Sequence, residues 1–388
     1  MLFLNPASKH FKVHPQRLEM KVMMMREARE YCKPCIVSLL LLFISLSGVI
    51  LGSHLIRHLT RLPSLDMKLS SSPSCNCSSG SSVSDDLWHT MEDEELLQRA
   101  SMVVHDKDSD CQRPEKVAFL FLTRGRLPLG PLWEMFFIGQ EKKLFYSIYV
   151  HPSPEFTEEP PKNSVFFRRR IPSKAVEWGR TSMVDAERRL LANALLDLSN
   201  QHFILLSETC IPLFNFSIVY QYITKSSLSF LSSYDDPKKT GRGRYNKLMM
   251  PVVTLQQWRK GSQWFHLQRK LAIEVVSDHR YYLVFKQHCR PPCYMDEHYL
   301  PTLVTMFFPE CNSNRSITFV DWSRGGSHPV TFKHRDVSEK LLQSIRHGSN
   351  CIYNGHRTTL CFLFARKFDH STLGPLVKIA PTILGLDL

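Results

Sequence analysis

The sequence predicts a mixed α/β domain with a mostly parallel central sheet, preceded by one N-terminal transmembrane helix. Three observations predict it: an apolar run near the N-terminus, strand-length apolar runs that alternate with a helical period, and enough apolar side chains for one large core. The chain has 388 residues, 43% hydrophobic and 11% aromatic, which fits one large domain or two closely packed halves once tail and anchor are set aside.

The anchor fixes the compartment. No Asp, Glu, Lys or Arg occurs from Pro34 to Ile56, and Ile36–Leu51 is almost unbroken apolar sequence, a length that can just span a bilayer. Lys21, Arg26, Arg29 and Lys33 precede it, so the positive-inside bias leaves the N-terminus in the cytosol and everything after Arg57 on the far side. A cleaved signal peptide would need a shorter apolar region, and a buried core helix would need an amphipathic stripe. The expected organisation is a cytosolic tail at 1–34, a signal-anchor at 35–56, a flexible luminal stem at 57–113 and a luminal domain at 114–388. The stem is assigned on its Ser-rich and then acidic composition.

Lys and Arg outnumber Asp and Glu by 49 to 36, a formal balance of +13, which favours an anionic partner. A luminal domain lies across a membrane from any nucleic acid, so a phosphate-bearing substrate or a membrane surface remains.

Within the globular part, Val117–Thr123 and Leu144–His151 are apolar runs of strand length. Ser182, with Asp185 three residues on, opens a helix whose apolar residues Met183, Ala186, Leu190, Ala194 and Leu198 recur at helical steps. It leads into a third strand, His202–Glu208. Strands alternating with helices imply right-handed crossovers, a largely parallel sheet and ligand sites beyond the carboxyl ends of the strands, where Thr123, His151 and Glu208 stand. Further helices are expected around Val252–Gly261 and Val337–Arg346.

Three N-x-S sequons, at Asn76, Asn215 and Asn314, become usable glycosylation acceptors in a lumen. Seven cysteines lie from Cys111 to Cys361, where an oxidising compartment favours disulfides and the odd number leaves at least one thiol unpaired. Cys289 and Cys293 lack a second close pair to complete a zinc site, so they read as disulfide partners.

The densest chemical cluster is Cys293–Pro301, where Asp296, Glu297 and His298 stand together. Taking a proton from a sugar hydroxyl requires such a positioned group; by spacing alone, a helix start with acids complementing its dipole is the simpler reading. A second cluster places Arg357, Arg366 and Lys367 around the apolar Leu360–Phe364, and fixed cations can neutralise a departing diphosphate. Asp321 and Trp322 form a third, with Trp322 offering a flat face to a sugar ring. Gly241–Lys247 and Trp258–Phe265, which contains Gly261 and Ser262, are basic and glycine-containing but match no phosphate-loop spacing. Neither Asp106/Asp108 nor Asp235/Asp236 follows a strand with the spacing of a metal-binding acidic pair, so no metal is expected.

Together these segments resemble the core-2/I-branching β-1,6-N-acetylglucosaminyltransferase family, most closely its plant, brittle-culm-like branch. The resemblance runs through IPSKAVEWGRTSMVDAERRLLANALLD (171–197), FILLSETCIPLFNF (203–216), DDPKKTGRGRYN (235–246), WRKGSQWF (258–265), CYMDEHYLPT (293–302), VDWSRGGSHP (320–329) and CFLFARKF (361–368). It implies a GT-A-like nucleotide-sugar transferase fold and an inverting, metal-independent reaction. The donor it implies is a UDP-sugar and the acceptor a glycan or glycoprotein, in the Golgi lumen. Carried over by position, it makes Glu297 the catalytic base, against the dipole reading, and gives Arg357 and Lys367 to the diphosphate. Trp322, Asp321, Glu208, Gly261 and Ser262 then line the acceptor or donor pocket. The sequence departs from the animal enzymes after His151, where Pro152, Ser153 and Pro154 follow, and after Trp322, so neither GlcNAc as donor nor a mucin-type acceptor follows. Plant cell-wall or arabinogalactan glycans are the expected acceptors. The competing expectation is a non-catalytic Golgi scaffold or glycan-binding protein of the same fold.

Overall fold

The computed structural model describes residues 87–102, 114–326 and 328–386. The expected tail and signal-anchor, most of the stem, the Asn76 sequon, Cys111 and the Asp106/Asp108 pair lie outside the described residues. Among the described residues, no helix is long and apolar enough to cross a membrane.

The chain runs α1 (Asp93–Met102), β1 (Lys116–Leu122), α2 (Gly130–Phe137), β2 (Tyr146–His151), α3 (Thr181–Leu195), β3 (Asn200–Ser207), β4 (Ile211–Pro212) and α4 (Phe216–Thr224). It continues with β5 (His266–Gln268), α5 (Arg269–Ser277), α6 (Arg280–His288), α7 (Met295–Phe307), β6 (Thr318–Val320) and α8 (Glu339–His347). The hairpin β7 (Cys351–Tyr353) and β8 (His356–Thr358), then β9 (Phe364–Arg366) and α9 (Leu373–Ile379), complete it.

The main sheet has the order β2-β1-β3-β5; β1 pairs in parallel with β2 and β3, and β5 is antiparallel to β3. A second sheet, β4-β9-β6, pairs β6 with β9 in parallel. Strand β1 is apolar throughout because both of its faces are covered, as expected for a parallel strand between helical layers. Val117, Phe119 and Phe121 face one core with α2 and the second sheet, where Phe119 meets Phe136, Phe137 and Phe364 edge-on. Ala118, Leu120 and Leu122 face the other core with α3, α5 and α7. The register ends all three parallel strands together, with Leu122 opposite both His151 and Ser207, so Thr123, Pro152 and Glu208 open on one edge.

Four local expectations change. Helix α3 begins at Thr181 with no side-chain cap, because the Ser182 hydroxyl instead accepts the Glu177 N–H at 2.9 Å. Leu198 lies beyond its end and is exposed. The segment Val252–Gly261 is not a helix: one turn closes from Trp258 N to Thr254 O at 3.1 Å, and Lys260 is then drawn into an antiparallel bridge with Tyr234. Asp93–Met102, assigned to the stem on composition, is a helix that buries Leu96 and Ala100 against α3 and α5; two apolar positions among so many acids give almost no periodic signal. The helix expected near Val337–Arg346 is α8, begun by the Ser338 hydroxyl accepting the Leu341 N–H. Cys289–Cys293 and Cys351–Cys361 are disulfides, and Cys210 is a buried thiol.

Arg189 ties α1 to the sheet. It places two nitrogens on the Asp93 carboxylate at 2.8 and 2.6 Å and meets His151 Nε2 at 2.8 Å. Burial, and then the Arg189 charge, push the His151 pKa down to about 4, so the ring is neutral. Burial alone would raise Asp93, but its bonds to Arg189 and Lys174 outweigh that and leave its pKa lowered. Such a group stabilises the fold above its unfolded pKa and stops doing so as pH falls through its folded value. Asp93→Asn should therefore lower Tm by about 2–4 °C at neutral pH, a difference that shrinks in thermal melts as pH falls below the ordinary carboxylate range.

Candidate active site

The site is built around the first turn of α7. Tyr294 precedes the helix without a side-chain cap, and Asp296, Glu297 and His298 then diverge as a helix requires. His298 turns into the core: it stacks on Trp258 at 4.4 Å, and its Nδ1 lies 2.8 Å from the Arg259 carbonyl. Burial pushes its pKa down to about 3. Asp296 is also buried; loss of solvent, reinforced by the neighbouring Glu297 charge, pushes its pKa up to about 7. Glu297 alone of the three is partly exposed. Its Oε2 accepts from Arg244 Nη1 at 2.6 Å, with Lys260 Nζ 3.9 Å away.

Gly261 sets this turn. Its N–H donates to the Glu297 carbonyl at 2.8 Å, and a Cβ there would sit 1.8 Å from the Ser232 carbonyl oxygen. Its part in the site is the close approach of two backbones. Ser262 accepts the Trp264 N–H at 3.2 Å and shapes the same turn. The basic loop before it serves the carboxylates: Arg242 takes Asp235 and Arg244 takes Glu297. Asp236 accepts the Thr240 hydroxyl at 2.8 Å and the Lys238 N–H at 3.0 Å, with Lys260 3.9 Å away. Arg244 also lies over Tyr294 at 4.5 Å, and Trp178, half exposed, meets Tyr294 at 4.9 Å and His328 at 5.3 Å. Together they form an aromatic wall beside Glu297.

The cations gather at the ends of β1 and β9. Arg366 is buried over the Trp264 ring at 3.9 Å and feels the charges of Glu208 and Asp296. Lys367 is half buried; desolvation, then the charges of Arg366 and Arg124, lower its pKa. Glu208, just past β3, is the acid this basic group senses. Because Val320 pairs with Arg366, Asp321 and Trp322 leave β6 on the edge where Lys367 leaves β9. Asp321 accepts the Ser323 N–H at 2.8 Å, and Trp322 is 50% exposed.

Arg357 and the described sequons complete the placement of the expected residues. Arg357 is exposed on β8 opposite Ile352, and no hydrogen bond, ion pair or ring contact joins it to Lys367 among the described residues. Its hairpin is tied to the other end of the domain, through Tyr353 to Tyr222 and Asn354 to Lys225. Asn215 caps α4 by accepting the Ile218 N–H at 3.0 Å, while Asn314 sits exposed in a turn with φ 55°. No group of three or more His, Cys, Asp or Glu among the described residues could hold a metal ion.

A partly exposed carboxylate paired with Arg244, with Arg366 and Lys367 gathered where the parallel strands end, is the layout of a group-transfer enzyme on an anionic donor. The sequence profile of the Core-2/I-Branching enzyme family matches residues 117–346. The chain belongs to the core-2/I-branching enzyme family. It is also 38% identical over 301 residues to the protein named Glycosyltransferase BC10 of Oryza sativa subsp. japonica, covering 66% of this chain and 74% of the relative. The family match contains the ends of β1, β2 and β3 and the whole first turn of α7. The plant branch of this family, and with it glycosyltransferase activity, follow from these two matches; a nucleotide-sugar donor and a glycan acceptor follow from the family.

Arg244, Tyr294 and Trp178 were not assigned from sequence. GRGRYNK stands out as basic, but nothing in it says that its second arginine meets a carboxylate fifty-odd positions later. Gly261→Ala should cost about 3 kcal/mol in chemical denaturation, since the backbone must move apart, and should lower transfer in step by displacing Glu297.

Proposed function

We propose that this glycosyltransferase moves a sugar, GlcNAc or another, from a UDP-sugar to a glycan or glycoprotein acceptor by a single inverting displacement that needs no metal, in the Golgi lumen. The observation that carries this reading is the position of Glu297, the one carboxylate of its cluster that is partly exposed. The acceptor hydroxyl approaches the anomeric carbon from the Glu297 side. As the new C–O bond forms, the hydroxyl proton passes to the Glu297 carboxylate, and the bond to the diphosphate breaks with its electron pair leaving on the phosphate oxygen. Arg244 orients the carboxylate. Lys367, with Arg366 and Arg124 behind it, meets the charge developing on the diphosphate; fixed cations of this kind supply what a metal supplies elsewhere.

Trp322, Trp178 and Tyr294 offer ring faces to sugars. Arg357 reaches the donor in this reading only through the family resemblance, and its substitution tests that resemblance separately. Acceptors from plant cell-wall or arabinogalactan glycans fit the plant branch, and the apolar run at 35–56 fits a type II Golgi anchor.

The test is UDP release and product formation by the full-length protein over a panel of UDP-sugars and cell-wall glycans, with and without EDTA. Glu297→Gln should reduce kcat by at least about 100-fold with KM for the donor little changed. Lys367→Ala should cost about 100-fold, and EDTA should leave the rate unchanged. Full activity in Glu297→Gln would remove the base from this mechanism, and loss of activity in EDTA would remove its metal independence.

A further inference from the structure

Two buried carboxyl groups, one of them next to Glu297 in sequence, are not used by the transfer mechanism. Glu187, on α3, and Asp296, on the packed helix α7, are 1% and 7% exposed. Gln263 Nε2 donates to Glu187 Oε1 at 2.8 Å. Glu187 Oε2 and Asp296 Oδ1 are buried without a hydrogen-bond partner. Neither carboxyl has a cation within ion-pair distance among the described residues, although ordinary buried carboxylates are paired. Two buried carboxyl groups that act on one another, with no cation in ion-pair contact, resist being ionised together. A retained proton is what allows such a pair to stay inside the protein.

We propose that Glu187 and Asp296 form a proton-retaining carboxyl pair that positions Glu297 and tunes proton transfer to it. The proposal rests on Glu297 being the base. Glu187 holds its proton throughout: burial, then the Asp296 charge, raise its pKa well above the usual range. Asp296 is the member that titrates, from a pKa pushed up to about 7 by burial and the Glu297 charge. The groups facing it are Glu297 on its own helix, Glu187 on α3, Arg244 from the basic loop and Arg366 on β9; Asp185, also on α3, acts on Glu187. While Asp296 is neutral, Glu297 is the one charged carboxylate in this turn. When Asp296 ionises, a second negative charge stands one residue away, and arrival of the acceptor proton on Glu297 becomes more favourable. The two residues are positioning residues, since neither reaches the cleft.

Two readouts on the full-length protein test this. Infrared difference spectra at about pH 9, above the Asp296 step, should show a protonated carboxylic-acid C=O band that Glu187→Gln removes. The pH profile of kcat/KM should rise about fivefold to tenfold through a step near pH 7 in the wild type. Asp296→Asn should abolish that step while keeping the low-pH rate, and Glu187→Gln, which keeps a neutral hydrogen-bonding group, should retain it. Stability gives a control on folding. A carboxyl with a raised folded pKa stabilises fully below its unfolded pKa and progressively less as pH rises through its folded value, so the wild-type Tm should fall relative to Asp296→Asn between about pH 4 and about pH 8. Absence of the acid band, or an Asp296→Asn profile that superimposes on the wild type, would overturn the proposal. Full activity in Glu297→Gln with the acid band intact would instead overturn the base assignment and leave the buried pair standing.

Discussion

The strand Lys116–Leu122 is the constraint on which the rest depends. With a packed core on each face, it offers polar groups no outlet along its length, so chemistry is confined to the loops beyond its carboxyl end. The parallel partners on either side stop in register with it. Residues from three separate stretches of chain therefore meet at one edge, and the second sheet delivers Arg366 and Lys367 to the same place through β9. Sheet register, more than any individual contact, decides which side chains share the site.

On that edge the charges are sorted. Carboxyl groups cluster at the start of α7, and cations cluster where β1 and β9 end. Burial then separates the three acidic-cluster residues into different roles, leaving Glu297 charged and accessible, Asp296 enclosed, and His298 neutral in the core. The arrangement is costly: unpaired buried carboxyl oxygens and a buried guanidinium are poor contributors to stability. They are tolerated because the surrounding aromatic and aliphatic cores are extensive.

Much of this was legible in the sequence. The strands at 117, 144 and 202 show as apolar runs because double burial removes any need for alternation, and the order of strands and helices announces a parallel sheet. The edge position of Glu208 came from the strand order, while Glu297, Lys367, Asp321 and Trp322 were singled out by motif resemblance. What the sequence hid depends on three-dimensional pairing. Arg244 reads as one more basic residue until it reaches Glu297, and Gly261 reads as a pocket residue until a Cβ placed there is seen to collide with Ser232. Glu187 reads as a surface acid in an amphipathic helix until α7 covers it. α1 escaped notice because two buried residues cannot mark a helix in an acidic segment, and Val252–Gly261 fails as a helix because its end is recruited into a bridge with Tyr234.

The most direct test of the account is the anomeric configuration of the sugar in the product, read by proton NMR on glycan made by the full-length enzyme. A single displacement assisted by Glu297 predicts a linkage of configuration opposite to that of the donor. A product that retains the donor configuration would contradict it, because the cleft would then have to form an intermediate that a lone base at this position cannot provide.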